Sequence, residues 1–301
     1  MSEKDKDGSK RKRRRRGGLR VPSDNVPRAK SQSDVAAPAP EDPRLAVSVA
    51  YAFGSNGSAA AAPLEEDAIR DTIRSPSVET PVPVEGVIKF AAAHTVSSPD
   101  AKHAALACQL IAWREIMARL NLVGQDPERY DGAGYGNLSA RVGPRGVGRG
   151  RRSFLITGTQ TSGLAAIGLE SLCLVSRYWP GDNRVESAGP CEPSSESLTH
   201  AAIYDLSPAL RFVFHAHAPV IWRRAESLRL PTTDPAVEYG TPEMAAEVGR
   251  LYRSTALPEL RCLAMGGHAD GVITFGRTAN EAGRAMMSAL AQAYESVCLR
   301  L

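Results

Sequence analysis

The stretch Arg211-Phe-Val-Phe-His215-Ala-His217-Ala218 closes an apolar run with two histidines two residues apart. Its length and apolar content read as a buried strand. Alternate strand residues share a face, so the two imidazoles leave the backbone roughly 6 to 7 Å apart and can converge on one ion. An ion held this way needs a third protein ligand and, if it acts on a substrate, an open coordination position. The Gly-flanked His268, in Met265-Gly-Gly-His268-Ala-Asp-Gly271, is the candidate third ligand. The competing reading of an isolated His-x-His is a pair of ordinary polar residues at a strand end.

Working outward from this strand, Pro193-Ser194-Ser195-Glu196 opens a helix to about Asp205, with Ser194 or Ser195 as its cap. Thr241-Pro242-Glu243 starts another, to about Arg253, with a cap followed by an N1 proline. Residues 260–265 and 271–275 read as strands, and Thr278-Ala-Asn-Glu281 is a capping box for a last helix to about Leu299. On the N-terminal side, residues 101–121 suit an amphipathic helix, and 138–142, 154–157 and 172–175 suit strands. The Gly- and Arg-rich segment 143–152 reads as an exposed hairpin tip, and Asp182-Asn183 as a turn. This is a mixed α/β order.

Five segments stand in a definite order: Gly136-Asn137-Leu138-Ser139-Ala140-Arg141, Phe154 to Gly163, Pro193-Ser194-Ser195-Glu196, His215-Ala216-His217 and Gly267-His268. Together they resemble the class II aldolase/adducin family, from about Glu85 to the C-terminus. The resemblance implies a three-layer α/β/α fold around a central, mainly antiparallel sheet, and a ring-shaped homotetramer with sites between subunits. It also implies that His215, His217 and His268 bind a divalent ion, zinc first, that Glu196 is the catalytic acid/base, and that Asn137, Ser162, Gly163, Ser194 and Ser195 hold a phosphate. The activity implied is an aldolase-type lyase acting on a small hydroxy-carbonyl compound, with sugar phosphates among the candidates, through an ion-stabilised enediolate. An epimerase or dehydratase on the same site is an alternative, as is a non-catalytic, adducin-like scaffold. Three features depart from the sugar aldolases. No tyrosine stands where a neighbouring subunit supplies their proton donor, Tyr239 falling in the strand-to-helix turn instead. The chain ends soon after its last helix, and the turn 157–163 is longer.

Residue chemistry supports the same assignments. An ion held by neutral imidazoles keeps its charge and can polarise a carbonyl and hydroxyl pair. Glu196 precedes the ligand strand, although a glutamate in a first helical turn is also favoured by the helix dipole alone, which with the metal would lower its pKa unless burial raised it. His200, four residues on, shares its helix face and can pair with it. Surface positions suffice for His94 and His103.

The chain has 301 residues and a net charge of +4, and much of the positive excess sits near its start, where Lys10 to Arg16 is an unbroken basic run. Residues 1–84 are basic and rich in Pro, Ala and Ser, a composition that cannot offset its conformational entropy by burial, so a disordered tail is expected before a domain at 85–301. The basic run suits weak contact with an anionic polymer. No apolar run reaches the ~18 residues of a membrane helix and no signal-peptide pattern is present, so a cytoplasmic protein is expected. The five cysteines are scattered without Cys-x-x-Cys spacing and read mostly as reduced core residues.

Overall fold

The structure, a computed structural model, describes residues 88–298. The basic run Lys10 to Arg16 and the tail at 1–84 lie outside the described residues. In chain order the elements are β1 (Ala91–Val96), α1 (Ala104–Arg119), β2 (Gly124–Gln125), β3 (Gly134–Tyr135), β4 (Asn137–Arg141), β5 (Phe154–Thr157), β6 (Leu172–Trp179) and β7 (Arg184–Gly189). They continue with α2 (Ser197–Leu206), β8 (Phe212–His217), α3 (Pro219–Trp222), α4 (Pro242–Ser254), α5 (Leu257–Leu260), β9 (Cys262–Ala264), β10 (Gly271–Gly276) and α6 (Ala279–Cys298). Eight strands form one sheet in the order β1-β7-β6-β5-β4-β8-β10-β9, and β2 and β3 form a separate ribbon. Within the large sheet β1 runs parallel to β7 and every other pairing is antiparallel.

Strand alternation gives this sheet two apolar faces. Ile156, Val175, Val213 and Ile273 pack with Leu198 and Ile203 of α2 and with Met244, Val248 and Leu251 of α4. Leu138, Ala140, Phe212, Phe214 and Val272 pack instead with Ala107, Leu110 and Met117 of α1 and with Ala282 and Met286 of α6. The result is the expected three-layer α/β/α arrangement. His215 and His217 have the parity of Val213 and therefore lie on the face covered by α2 and α4.

Local chemistry fixes the helix starts. Thr241 accepts from the Met244 amide at 3.2 Å. Thr278 Oγ1 accepts from the Glu281 amide at 3.1 Å, while Glu281 returns a bond to the Arg277 amide at 2.9 Å, so the capping box closes one residue early.

Several expectations need correction. The strand expected at 260–265 starts only at Cys262, because Leu257–Leu260 is a helical turn ended by Arg261 in the left-handed region (φ 55). Residues 184–189, read only as the flank of a turn, form β7, and 91–96 form the edge strand β1. Segment 143–152 is exposed at its tip but anchored at its base. Arg141 donates to the carbonyls of Pro144, Arg145 and Pro208, and the buried Arg152 donates to those of Val147 and Tyr204. Those guanidiniums satisfy carbonyls of the loop and of the end of α2 that would otherwise lack partners. Of the cysteines, Cys173 and Cys262 are buried, Cys191 is half-buried, and Cys108 and Cys298 are exposed.

Candidate metal centre and the carboxyl group beside it

The end of β8 carries both histidines of the pair, flanked by β4 on one side and β10 on the other: His215 faces Asn137 and Ile273, and His217 faces Gly271. The third histidine comes from the turn between β9 and β10. That turn is closed by bonds from the His268 amide to the Met265 carbonyl and from the Gly271 amide to the His268 carbonyl. Glycine is required at its end, since a Cβ on Gly271 would stand 2.5 Å from Cδ2 of His268. One ligand atom from each of His215, His217 and His268 lies within 4.8 Å of the others. Nε2 of His217 and Nε2 of His268 are 3.0 Å apart. Two nitrogens each about 2.0 to 2.1 Å from a tetrahedral zinc stand roughly 3.3 Å apart, so the donor set and its spacing fit a divalent ion.

Burial prepares these groups for that role. His215 and His217 are fully buried and His268 is 4% exposed. Loss of water disfavours the imidazolium, pushing His215 down to about 4 and the other two well below the usual histidine range, with neighbouring imidazoles adding to the effect at His217 and His268. All three are therefore neutral at pH 7.

Glu196 stands at the N-cap of α2, completely buried, with Oε1 3.9 Å from Nε2 of His268. Among the described residues neither carboxylate oxygen has a hydrogen-bond partner. Burial pushes its pKa up to about 7, against weaker lowering by Thr199 and Lys89. Desolvation thus outweighs the helix dipole that the sequence alone would put first. The cap expected of Ser194 or Ser195 is taken by Glu196, whose side chain makes no capping bond. Ser194 instead accepts from the Glu196 amide at 3.3 Å and from the hydroxyl of Ser197 at 2.7 Å.

His200 does not pair with the Glu196 side chain. Its Nδ1 lies 2.6 Å from Ser139 Oγ, which lies 2.7 Å from the Tyr204 hydroxyl, a buried brace between α2 and β4. His94 is half-buried, with Nδ1 3.0 Å from Ser187 Oγ on β7.

The five positions matched to a phosphate pocket are tied together loosely. Asn137 sits beside His215, its Oδ1 buried without a partner among the described residues. Ser162 bonds the Gly136 carbonyl at 2.7 Å, next to Asn137. The loop holding Ser162 is in turn joined to the approach to Ser194 and Ser195 by the Gly158–Pro193 bridge and the Thr159 amide to the Glu192 carbonyl. Gly163 is exposed, against the Gln125 side chain.

Several neighbours of the centre escape a reading of the sequence. The rings of Tyr130 and Tyr239 lie 4.5 and 4.4 Å from His217 and His268, centroid to centroid. Lys89 lies over Tyr239 with Nζ 4.0 Å from the ring centre. These contacts join segments far apart in the chain and leave no periodic signal; the one local hint is Asp270, two residues beyond His268.

A family model described as the class II aldolase and adducin N-terminal domain matches residues 126–295. No curated protein matches the chain. Among solved structures, l-fuculose-1-phosphate aldolase from Thermus thermophilus is similar at 22% identity and a TM-score of 0.48, over 65% of this chain and 95% of that one. YgbL from Escherichia coli is similar at 18% identity and 0.48, over 66% and 91%. A sugar-phosphate aldolase from Thermotoga maritima is similar at 16% identity and 0.48, over 65% and 97%.

Proposed function

Because the chain belongs to the class II aldolase and adducin family, whose model spans more than half of it, we propose that it is a metal-dependent lyase of aldolase type acting on a small hydroxy-carbonyl compound. The observation that carries this reading is the convergence of three buried, neutral imidazoles with a carboxyl group 3.9 Å from one of them. A bound divalent ion, zinc first for an all-imidazole set, supplies a Lewis acid that polarises the substrate's carbonyl and hydroxyl oxygens and offsets the charge that develops as a carbon–carbon bond breaks.

Glu196 does the proton work. It takes the hydroxyl proton as the bond cleaves and returns a proton to the carbon left behind. With a cation beside it Glu196 would be held as the carboxylate, ready to accept a hydroxyl proton that the ion would make more acidic, and the carboxyl group so formed is the proton donor for the carbon. Asn137, Ser162, Gly163, Ser194 and Ser195 anchor an anionic end of the substrate, a phosphate by preference, with the start of α2 adding free amides and the positive end of its dipole. In this reading the working form is a cytoplasmic homotetramer in carbohydrate metabolism. Among the described residues no helix is long and apolar enough to cross a membrane. A scaffold that merely kept the fold would have no use for four ionisable side chains buried together at a desolvation cost.

The test is Glu196→Gln. Fold and bound metal should persist while retro-aldol turnover on pentulose and hexulose phosphates falls by roughly 10² to 10⁴. Unchanged turnover removes Glu196 from the chemistry. Wild-type activity confined to epimerisation or dehydration moves the reaction to the corresponding alternative.

A further inference from the structure

Two loops meet beside His217, and each passes through backbone conformations that L residues rarely adopt. Tyr130 (φ 52) and Asp131 (φ 55) stand consecutively in the left-handed region between β2 and β3, and Asp270 (φ 64) does so in the turn that carries His268. Such strain persists only where the surroundings impose it, and it concentrates at functional sites. A hydrogen bond joins the two loops: the Tyr130 hydroxyl donates to Asp270 Oδ2 at 2.7 Å while accepting from Arg129 Nη2 at 2.7 Å. Arg129 Nη1 donates to the Tyr135 hydroxyl at 3.2 Å. The two tyrosine rings flank His217, Tyr130 edge-on at 4.5 Å and Tyr135 tilted at 5.4 Å between centroids. None of these residues has a part in the proton transfers assigned to Glu196.

We propose that the Tyr130–Asp270 bond is a latch that fixes the His217 ring and retains the bound ion, with Tyr130 as a positioning residue. This rests on the reading that the three histidines hold a divalent cation. The His217 imidazole cannot swing away from the ion without displacing Tyr130, and Tyr130 cannot move without giving up its bond to Asp270. Asp270 lies two residues from His268, so the same bond sets the loop over one ligand relative to the turn bearing another. Contacts that orient a ligand in this way change metal affinity by about 10- to 100-fold.

Release of Co²⁺ from the full chain into excess EDTA tests the latch. Tyr130→Phe keeps the ring and loses the hydroxyl; Asp270→Asn weakens the acceptor. Each should speed release by about 10- to 100-fold, the double variant should release no faster than the faster single one, and the metal-free proteins should melt with the wild type. If Tyr130→Phe does not fold, Asp270→Asn carries the same test. Release at the wild-type rate from a wild type that does hold the ion, or additive effects in the double variant, overturns the latch alone. A wild type that takes up no Co²⁺ overturns the latch together with the metal reading beneath it.

Discussion

Glu196 and His215 are both taken out of water, and burial moves their pKa values in opposite directions because it favours whichever form is neutral. Glu196 rises from 4.5 to about 7, so the stability it contributes to the metal-free protein is complete below pH 4.5 and is lost as pH rises through 7. His215 falls from 6.5 to about 4, so its contribution is complete above pH 6.5 and is lost as pH falls through 4. Cation uptake is predicted to reverse the first shift, since a positive charge beside Glu196 favours the carboxylate. Near pH 6 each ion bound should therefore release close to one proton, with little from the already neutral histidines, and release should fade as pH rises through 7. Calorimetric titration in buffers of different ionisation enthalpy reads that number. Glu196→Gln should abolish the release; release that persists in the variant would place the proton on another group.

At the scale of elements, the parts legible in the sequence are those with a local signature. The run into His215 and His217 identifies β8, and Thr241 and Thr278 mark the starts of α4 and α6 through their capping bonds. Strands β1 and β7 carry a weaker mark, because Ala91-Ala-Ala and Ser187-Ala-Gly leave only Thr95 and Val96 in the first and Val185 in the second as β-branched residues that signal a strand. The family match begins at residue 126 and leaves out β1 and α1, yet Leu110 and Met117 of α1 are fully buried in the core that includes Leu138. Arg114 of the same helix donates to the Ser162 carbonyl at 2.7 Å. Losing a buried Leu or Met costs about 2 to 5 kcal/mol, against a typical total stability of about 5 to 15 kcal/mol. A chain starting at Pro83 is thus predicted to melt with the full-length protein, and one starting at residue 126 to show no cooperative transition by circular dichroism. A cooperative melt from the shorter chain would mean that α1 is dispensable. A lower melting temperature on starting at Pro83 would mean that the preceding residues stabilise the domain.

For the whole molecule, the sheet, α2 and the turn between β9 and β10 bring their polar residues to one end of β8. The histidine cluster is readable in advance because two of its members share a strand and the third sits among glycines. The tyrosines around it are not, since Tyr130 meets Asp270 across 140 residues of sequence. The account stands on the three histidines binding one ion, and metal content of the purified full chain after incubation with Zn²⁺ and removal of excess tests this most directly. One ion per wild-type chain is predicted, and well under one when His215 and His217 are both replaced by alanine. A wild type without metal, or a double variant that still holds a full equivalent, would contradict it.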